Sequence, residues 1–421
     1  MKILLISPPD SDKWLMKNAR CDFSSWSGCS WWPLILGQLG AFLETAVKDE
    51  IKLVDAQAAG LSDEDTRKII AEYDPDRSVV LTSRSSLAGD ITWTMYLRDR
   101  KEGARSCMIS PFIFNPQSRH MAEKMDIDFV AGEPEKGILA WLAGAKGWIK
   151  PEALTQEELR QSGWASKFMA KNCGYDAYMA PSEPWPFIDI MTGRGCSWGK
   201  CTFCLWPKTY RQKYITRDIE DVMDEIAWIE QTKIFKGIMV EDDNLPSWRA
   251  LEFAMAKQKR GLKIPWSCLT RAELPEETLR EMKASGLLNL HVGYESGSNK
   301  TLEKINKGLT KEQMTDWTKM AKRLGCKVHG DFIVGIDETE AEIHETIEWA
   351  CQLRPATAQF QIYIPYLGDK RFHDPEHLKG LSQLAYKRFY GDPRNWKAVL
   401  KQFGKPRVIG RSLAKVMGGG A

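Results

Sequence analysis

No apolar run in this sequence approaches the ~18–20 residues that a membrane-spanning helix needs. Residues 1–9 carry no basic lead, no hydrophobic segment of secretory length and no cleavage site, so the chain is expected to be cytoplasmic, with no membrane partner. An excess of charge of either sign is also missing. Lys and Arg number 59 against 56 Asp and Glu, a net +3 over 421 residues, which is too weak a field to imply a nucleic-acid partner. Internal repeats, coiled-coil heptads and low-complexity tracts are absent. So is a disulfide framework: Cys21, Cys29, Cys107, Cys173, Cys268, Cys326 and Cys351 stand singly, as reduced thiols packing like small hydrophobes do. What is present, 43% hydrophobic and 27% charged residues, fits a globular chain too long for one ordinary core. Two domains, or a barrel with an appendage, are expected, and a monomer. Seventeen Trp imply either large apolar pockets or heavy aromatic packing.

Periodicity divides the chain in two. Residues 2–7 (KILLIS) form a nearly continuous apolar run ending at Pro8-Pro9, the pattern of a central parallel strand. Further strands are predicted over 51–54, 78–81, 107–109 and 129–130, with helices over 34–45, 63–73 and 91–100. This alternation predicts a doubly wound, Rossmann-like parallel sheet over residues 1–145, with ligands beyond the carboxyl ends of its strands. Residues 146–186, rich in Pro, Gly and charge, are assigned to a linker containing a helix. A second alternation predicts strands over 187–192, 237–240, 264–268, 289–292, 328–334 and 358–364, separated by helices such as 219–231, 276–285 and 310–324. Six βα units over 187–370 predict a partial TIM-type (β/α)6 barrel whose functional loops follow the strands. Residues 371–421 are assigned to a short helical region. The fold class is therefore α/β.

The strongest chemical signal is Gly193-Arg194-Gly195-Cys196-Ser197-Trp198-Gly199-Lys200-Cys201-Thr202-Phe203-Cys204. Three thiols within nine residues, on a Gly-rich loop after a strand, suit one face of an iron–sulfur cluster. Structural zinc is the alternative, but zinc favours four closed ligands, and the nearest further cysteines in sequence are Cys173 and Cys268.

This segment resembles the radical S-adenosylmethionine (SAM) enzymes, whose usual spacing is Cys-x3-Cys-x2-Cys; here one residue is added between the first two. Phe203 matches the aromatic placed near the adenine. Val240-Glu241-Asp242-Asp243-Asn244 corresponds to the polar motif for the methionine amino group, Arg271 follows the third barrel strand, and Gly293-Tyr294-Glu295-Ser296-Gly297 resembles the segment contacting ribose and carboxylate. Residues 330–339 resemble the fifth-strand segment without its Pro-Gly, and Tyr366-Leu367-Gly368 resembles the turn after strand six. Cys204-Leu205-Trp206-Pro207 resembles a subset of the family. Other readings of the same residues stay open: Asp242 and Asp243 as a helix N-cap, Glu295 as a satisfied strand-end carboxylate, Arg271 as a surface ion pair.

The N-terminal half resembles the cobalamin-binding domain of the B12-dependent branch. Ile6-Ser7-Pro8-Pro9 ends strand one, Pro33-Leu34 opens the first helix, which carries Leu39, Asp55 ends strand two, and Gly132-Glu133-Pro134-Glu135 forms the turn after strand five. The string Asp-x-His-x-x-Gly is missing, so bound cobalamin would be base-off with no His ligand. Ser83, Arg84, Ser85 and the Trp26/Trp31/Trp32 loop are candidates to line the corrin; core or interface packing is the other use of those Trp residues, and a degenerate domain that binds nothing is the other reading of the sheet.

Taken together, the resemblance implies a [4Fe-4S] cluster on Cys196, Cys201 and Cys204, with SAM bound by Phe203, Glu241, Asp242, Arg271, Glu295 and Ser296. It also implies methylcobalamin near Pro8, Pro9, Asp55, Ser83, Ser85, Gly132 and Glu133. The implied activity is C-methylation of an unactivated sp3 carbon, with electrons from an external ferredoxin- or flavodoxin-type donor. Tyr294 and Tyr366 are candidates to assist catalysis. A short C-terminal region suits a large substrate, a peptide or protein such as a glutamine of methyl-coenzyme M reductase, though no motif encodes it. The alternatives are a cobalamin-binding radical enzyme that cyclises or rearranges its substrate, and a non-catalytic iron–sulfur or zinc protein. Cys204→Ser is expected to abolish both the iron–sulfur absorbance and SAM cleavage. A variant that keeps full activity would overturn the assignment of the three cysteines.

Overall fold

The computed structural model describes residues 1–13, 15–17, 22–24, 29–110, 116–205, 213–364 and 374–396. Strand β1 (Lys2–Ser7) is buried on both faces beyond its first residue, which is why its sequence does not alternate. It pairs in parallel with β2 (Glu50–Asp55) on one side and β3 (Arg77–Leu81) on the other. Strands β4 (Arg105–Ser110), β5 (Asp128–Ala131) and β6 (Trp148–Ile149) complete a six-stranded parallel sheet of order 2-1-3-4-5-6. In this order the winding reverses at β1, and ligand crevices open at the carboxyl ends beside such a reversal. A cavity of about 260 Å³ lies at the carboxyl ends of β1 and β2, lined among others by Ser7, Asp55, Gln57, Lys17, Ser30 and Trp31.

Side chains of β1 alternate between two cores. Leu4 and Ile6 pack with Ile70, Tyr73, Trp93 and Leu97. Ile3 and Leu5 join a core that continues through Trp32 and Phe187 into the second half of the chain. That half is a second parallel sheet of β7 (Phe187–Ile190), β8 (Gly237–Val240), β9 (Trp266–Thr270), β10 (Leu287–Glu295), β11 (Lys327–Val334) and β12 (Thr357–Ile362), arranged in chain order. Strand β9 starts later than the sequence predicts because Pro265 has no N–H to give a ladder. The intervening helices have defined starts: Thr310 with Gln313, and Thr339 with Glu342, form capping boxes. Register places His291, His329 and Thr357 side by side across β10 to β12, so this stretch of one row of the barrel interior is polar.

Residues 146–186 are packed structure rather than a linker. Trp148 and Ile149 extend the first sheet, a strand too short to show a period. Helix Ala165–Asn172 lies on helix Leu34–Ala46, where a side chain at Gly40 would collide with Phe168. Trp32 is fully buried, stacks on Tyr178 at 4.0 Å between ring centroids, and donates its Nε1–H to the Phe187 carbonyl at 2.8 Å. Its role is packing between the halves. Trp26 lies outside the described residues.

A buried charge triad also joins the halves. Arg194, on the cysteine loop, donates to Glu135 at 2.6 Å and to Glu133 at 3.4 Å, with all three side chains 1–2% exposed. Removing one partner of such a group leaves a buried charge uncompensated, at a cost of about 3–5 kcal/mol. Arg194→Ala is expected to lower stability by that amount in denaturant unfolding, and adding Glu133→Gln and Glu135→Gln is expected to restore part of it.

Candidate active site

Two aspartates at the end of β8 shape the cysteine loop. Asp242 accepts from the Thr192 N–H at 2.7 Å, the Thr192 hydroxyl at 2.5 Å, the Gly193 N–H at 3.1 Å and the Tyr214 hydroxyl at 2.5 Å. Asp243 accepts from the Gly195 N–H at 2.7 Å. Neither caps the following helix, which begins at Ser247 behind Pro246. The loop then turns through Gly195 (φ +95°) and Gly199 (φ +58°), conformations that favour glycine. Thr202 N–H reaches the Ile305 carbonyl at 2.9 Å, and the Gly199 N–H points at Cys196 Sγ at 3.4 Å. No disulfide joins Cys196, Cys201 or Cys204, which are half-buried, and Phe203 packs half-buried against the core. Three thiols on one loop, not joined by disulfides, are a donor set suited to three irons of a cluster with one iron left open.

A wall of charge stands beside the loop. Arg271 is buried, donates to Glu273 at 2.9 Å and the Lys307 carbonyl at 2.8 Å, and lies 4.7 Å from the centre of the Trp198 ring. It is not a surface pair. Lys307 bonds Glu295 at 2.8 Å, and Glu295 ends β10 in a left-handed conformation, φ +64°. Burial pushes the Cys201 thiol up; Lys307 and Arg271 oppose this, while Glu295 and Cys196 add to it. Charges from the ends of β9 and β10 and from the loop at Lys307 thus converge on one cysteine. Glu241 is buried at the end of β8, its N–H held by the Ile190 carbonyl at 2.9 Å. The hydroxyl of Ser296 is committed to Glu338 at 2.6 Å.

Tyr294 is placed away from this space. Its ring stacks on Phe332 and meets Trp349 edge-on, and its hydroxyl bonds Thr318 at 2.5 Å in the helical layer. Strand alternation sends it outward, so it cannot assist the reaction directly. Tyr366 and residues 206–212 lie outside the described residues.

In the first half, Asp55 caps the short helix after β2 and accepts from the Tyr178 hydroxyl at 3.0 Å; burial pushes its carboxyl up. The Pro8 carbonyl accepts from Lys17 at 3.1 Å, beside half-buried Pro9, and Lys17 also forms a buried pair with Asp90 at 2.7 Å. Ser83 and Ser86 share a hydrogen bond of 2.7 Å, and Ser85 is exposed. Gly132 has φ +90°; it precedes Glu133, which is occupied by Arg194 and by the Leu154 N–H at 3.0 Å.

Sequence reasoning missed several residues. Trp198 donates to the Asn306 carbonyl at 3.0 Å and fills the space above Gly308; its position inside the cysteine loop was the available signal. Glu183 is fully buried and accepts from Ser267 at 2.6 Å, from Asn289 at 3.4 Å and from His291 at 3.0 Å. Burial alone would push His291 down, but Glu183 holds it up, and His291 in turn keeps Glu183 low against burial. Nothing in the sequence near Glu183 marks it.

Residues 190–350 match the radical SAM superfamily. Those residues thus form a radical SAM domain, which supports an enzyme. An uncharacterised methyltransferase of Pyrococcus horikoshii is 29% identical over 88% of this chain and 82% of its own length. The cobalamin-dependent SAM radical enzyme OxsB, solved with aqua-cobalamin, superposes with TM-score 0.61 at 17% identity, over 94% of this chain and 56% of OxsB. The radical SAM methyltransferase TsrM from Kitasatospora setae, solved with cobalamin and a [4Fe-4S] cluster, gives TM-score 0.60 at 15% identity over 87% and 76%. The chain thus spans little more than half the length of OxsB. No helix among the described residues is long and apolar enough to cross a membrane.

Glu338 underlies the Ser296 turn, accepting from Ser296, Thr346 and the Gly335 N–H. Burial pushes its carboxyl up to about 7. A raised carboxyl contributes stability that is fully present below the ordinary pKa and lost as pH rises through the folded value, here on the order of 3 kcal/mol between about pH 4.5 and 7. Glu338→Gln, which keeps the uncharged shape, is expected to flatten this slope in urea unfolding measured across that range.

Proposed function

We propose that this protein is a cobalamin-dependent radical C-methyltransferase acting on an unactivated sp3 carbon of a peptide or protein, such as a glutamine of methyl-coenzyme M reductase. The Arg194 triad carries the reading: it ties the cysteine loop to the Glu133–Glu135 turn, so the carboxyl ends of both sheets adjoin. Cobalamin in two similar solved folds, and the methyltransferase names of a relative and of TsrM, support it.

Cys196, Cys201 and Cys204 would hold the cluster. Arg271, Lys307 and Glu295 offer charges for the polar end of SAM, Phe203 a flat face for its adenine, and the backbone after Glu295 contacts for its ribose. The cavity at Ser7, Asp55, Gln57 and Trp31 has room for only part of cobalamin, which would bind base-off, since no His lines the cavity among the described residues. When bound, these groups supply a substrate carbon radical and the methyl group that quenches it. The chain itself orients the substrate and excludes water behind buried strands. Electrons come from a ferredoxin- or flavodoxin-type donor, and the protein acts as a cytoplasmic monomer.

The test is anaerobic reconstitution, then incubation with cobalamin, methyl-labelled SAM, a low-potential reductant and a glutamine-bearing peptide of methyl-coenzyme M reductase. About four irons per chain, a base-off cobalamin spectrum and one labelled methyl on carbon are expected. Iron without cobalamin affinity, or product without added mass, would sink the reading.

A further inference from the structure

The polar row inside the barrel holds a group that the cluster, SAM and cobalamin do not use. We propose that His291, His329 and Asp331 form a site for one divalent transition-metal ion of the zinc or ferrous type. Their donor atoms all lie within 4.8 Å of one another. His329 Nε2 and Asp331 Oδ1 are 3.3 Å apart, yet they form no hydrogen bond with each other. Two ligands on one ion at ~2.0–2.2 Å are separated by about 3.0–3.4 Å. The pair therefore has the spacing of one edge of a coordination polyhedron and lacks the alignment of a hydrogen bond.

The outer contacts fit as well. Metal-bound imidazoles usually give their second nitrogen to a carboxylate or other fixed oxygen. His329 does so through Nδ1, 2.7 Å from the Thr357 hydroxyl, which leaves Nε2 for the ion. His291 does so through Nε2, 3.0 Å from the buried Glu183, which leaves Nδ1; that atom makes no hydrogen bond among the described residues. The two rings lie 4.8 Å apart, and Trp31 closes one side of His291 at 5.7 Å. Two imidazoles and one carboxylate leave coordination positions open. An ion there would take a substrate carbonyl or carboxylate oxygen and hold it in the barrel, a positioning role. Metal binding itself does not depend on the methyltransferase reading.

The test uses the full chain with its cluster reconstituted, equilibrated with zinc alone and desalted. Zinc and iron are counted by mass spectrometry, and the zinc shell is read by X-ray absorption. One zinc per chain in a nitrogen/oxygen shell at ~2.0–2.1 Å is expected. His329→Ala and the isosteric Asp331→Asn are expected to lose it with cluster iron unchanged, and Glu183→Gln to weaken it ~10–100-fold. Wild-type protein that retains no zinc, zinc equally retained by Asp331→Asn, or a sulfur shell at ~2.3 Å would each overturn the site. Asp331→Asn decides the matter if His329→Ala does not fold.

Discussion

The guanidinium of Arg194 is the constraint on which the arrangement of the two halves rests. A charge of this size costs several kcal/mol to bury, and only close opposite charges offset the cost. Glu133 and Glu135 provide them from the turn after the fifth strand of the first sheet. The cysteine loop can therefore sit in only one position relative to that sheet without stranding a charge. Trp32, Tyr178 and Phe187 fill the same boundary with apolar surface, but apolar packing is non-directional and would tolerate sliding. The ion pairs add direction.

Farther into the barrel the same principle repeats. The side of the strands facing the helices is apolar and aromatic, with Tyr294, Phe332 and Phe360 in one stack. The inner side carries Glu183, His291, His329 and Asp331, each with a partner. Asp242 collects four donors and so shapes the loop that bears the cysteines. Such hydrogen-bonded networks hold their members in place before any ligand arrives, which is the condition for orienting a reactive group.

The residues that were legible in advance are those whose signal is local. Three cysteines within nine positions, glycines at turns, and apolar runs of strand length can each be seen in a short window. Tyr294 lies in a motif whose neighbours face the site, and only the register of β10 shows that it faces the helices. The strand Trp148–Ile149 is too short to show a period, so packed structure there has the sequence pattern of a linker. Asp242 and Arg271 were in view, but their partners, Thr192, Tyr214 and the Lys307 carbonyl, lie 28 to 50 residues away in the chain.

The α/β class, the two alternations and the clustering of three cysteines are legible in the chain itself, because hydrophobic period and residue spacing are properties of neighbouring residues. Tertiary structure alone decided which charges meet. Arg194 finds Glu133 and Glu135, Glu183 finds His291, and His329 comes beside Asp331 and His291. The physical reason is that strand register and sheet order bring together groups from different strands, and burial then makes each charge depend on its partner.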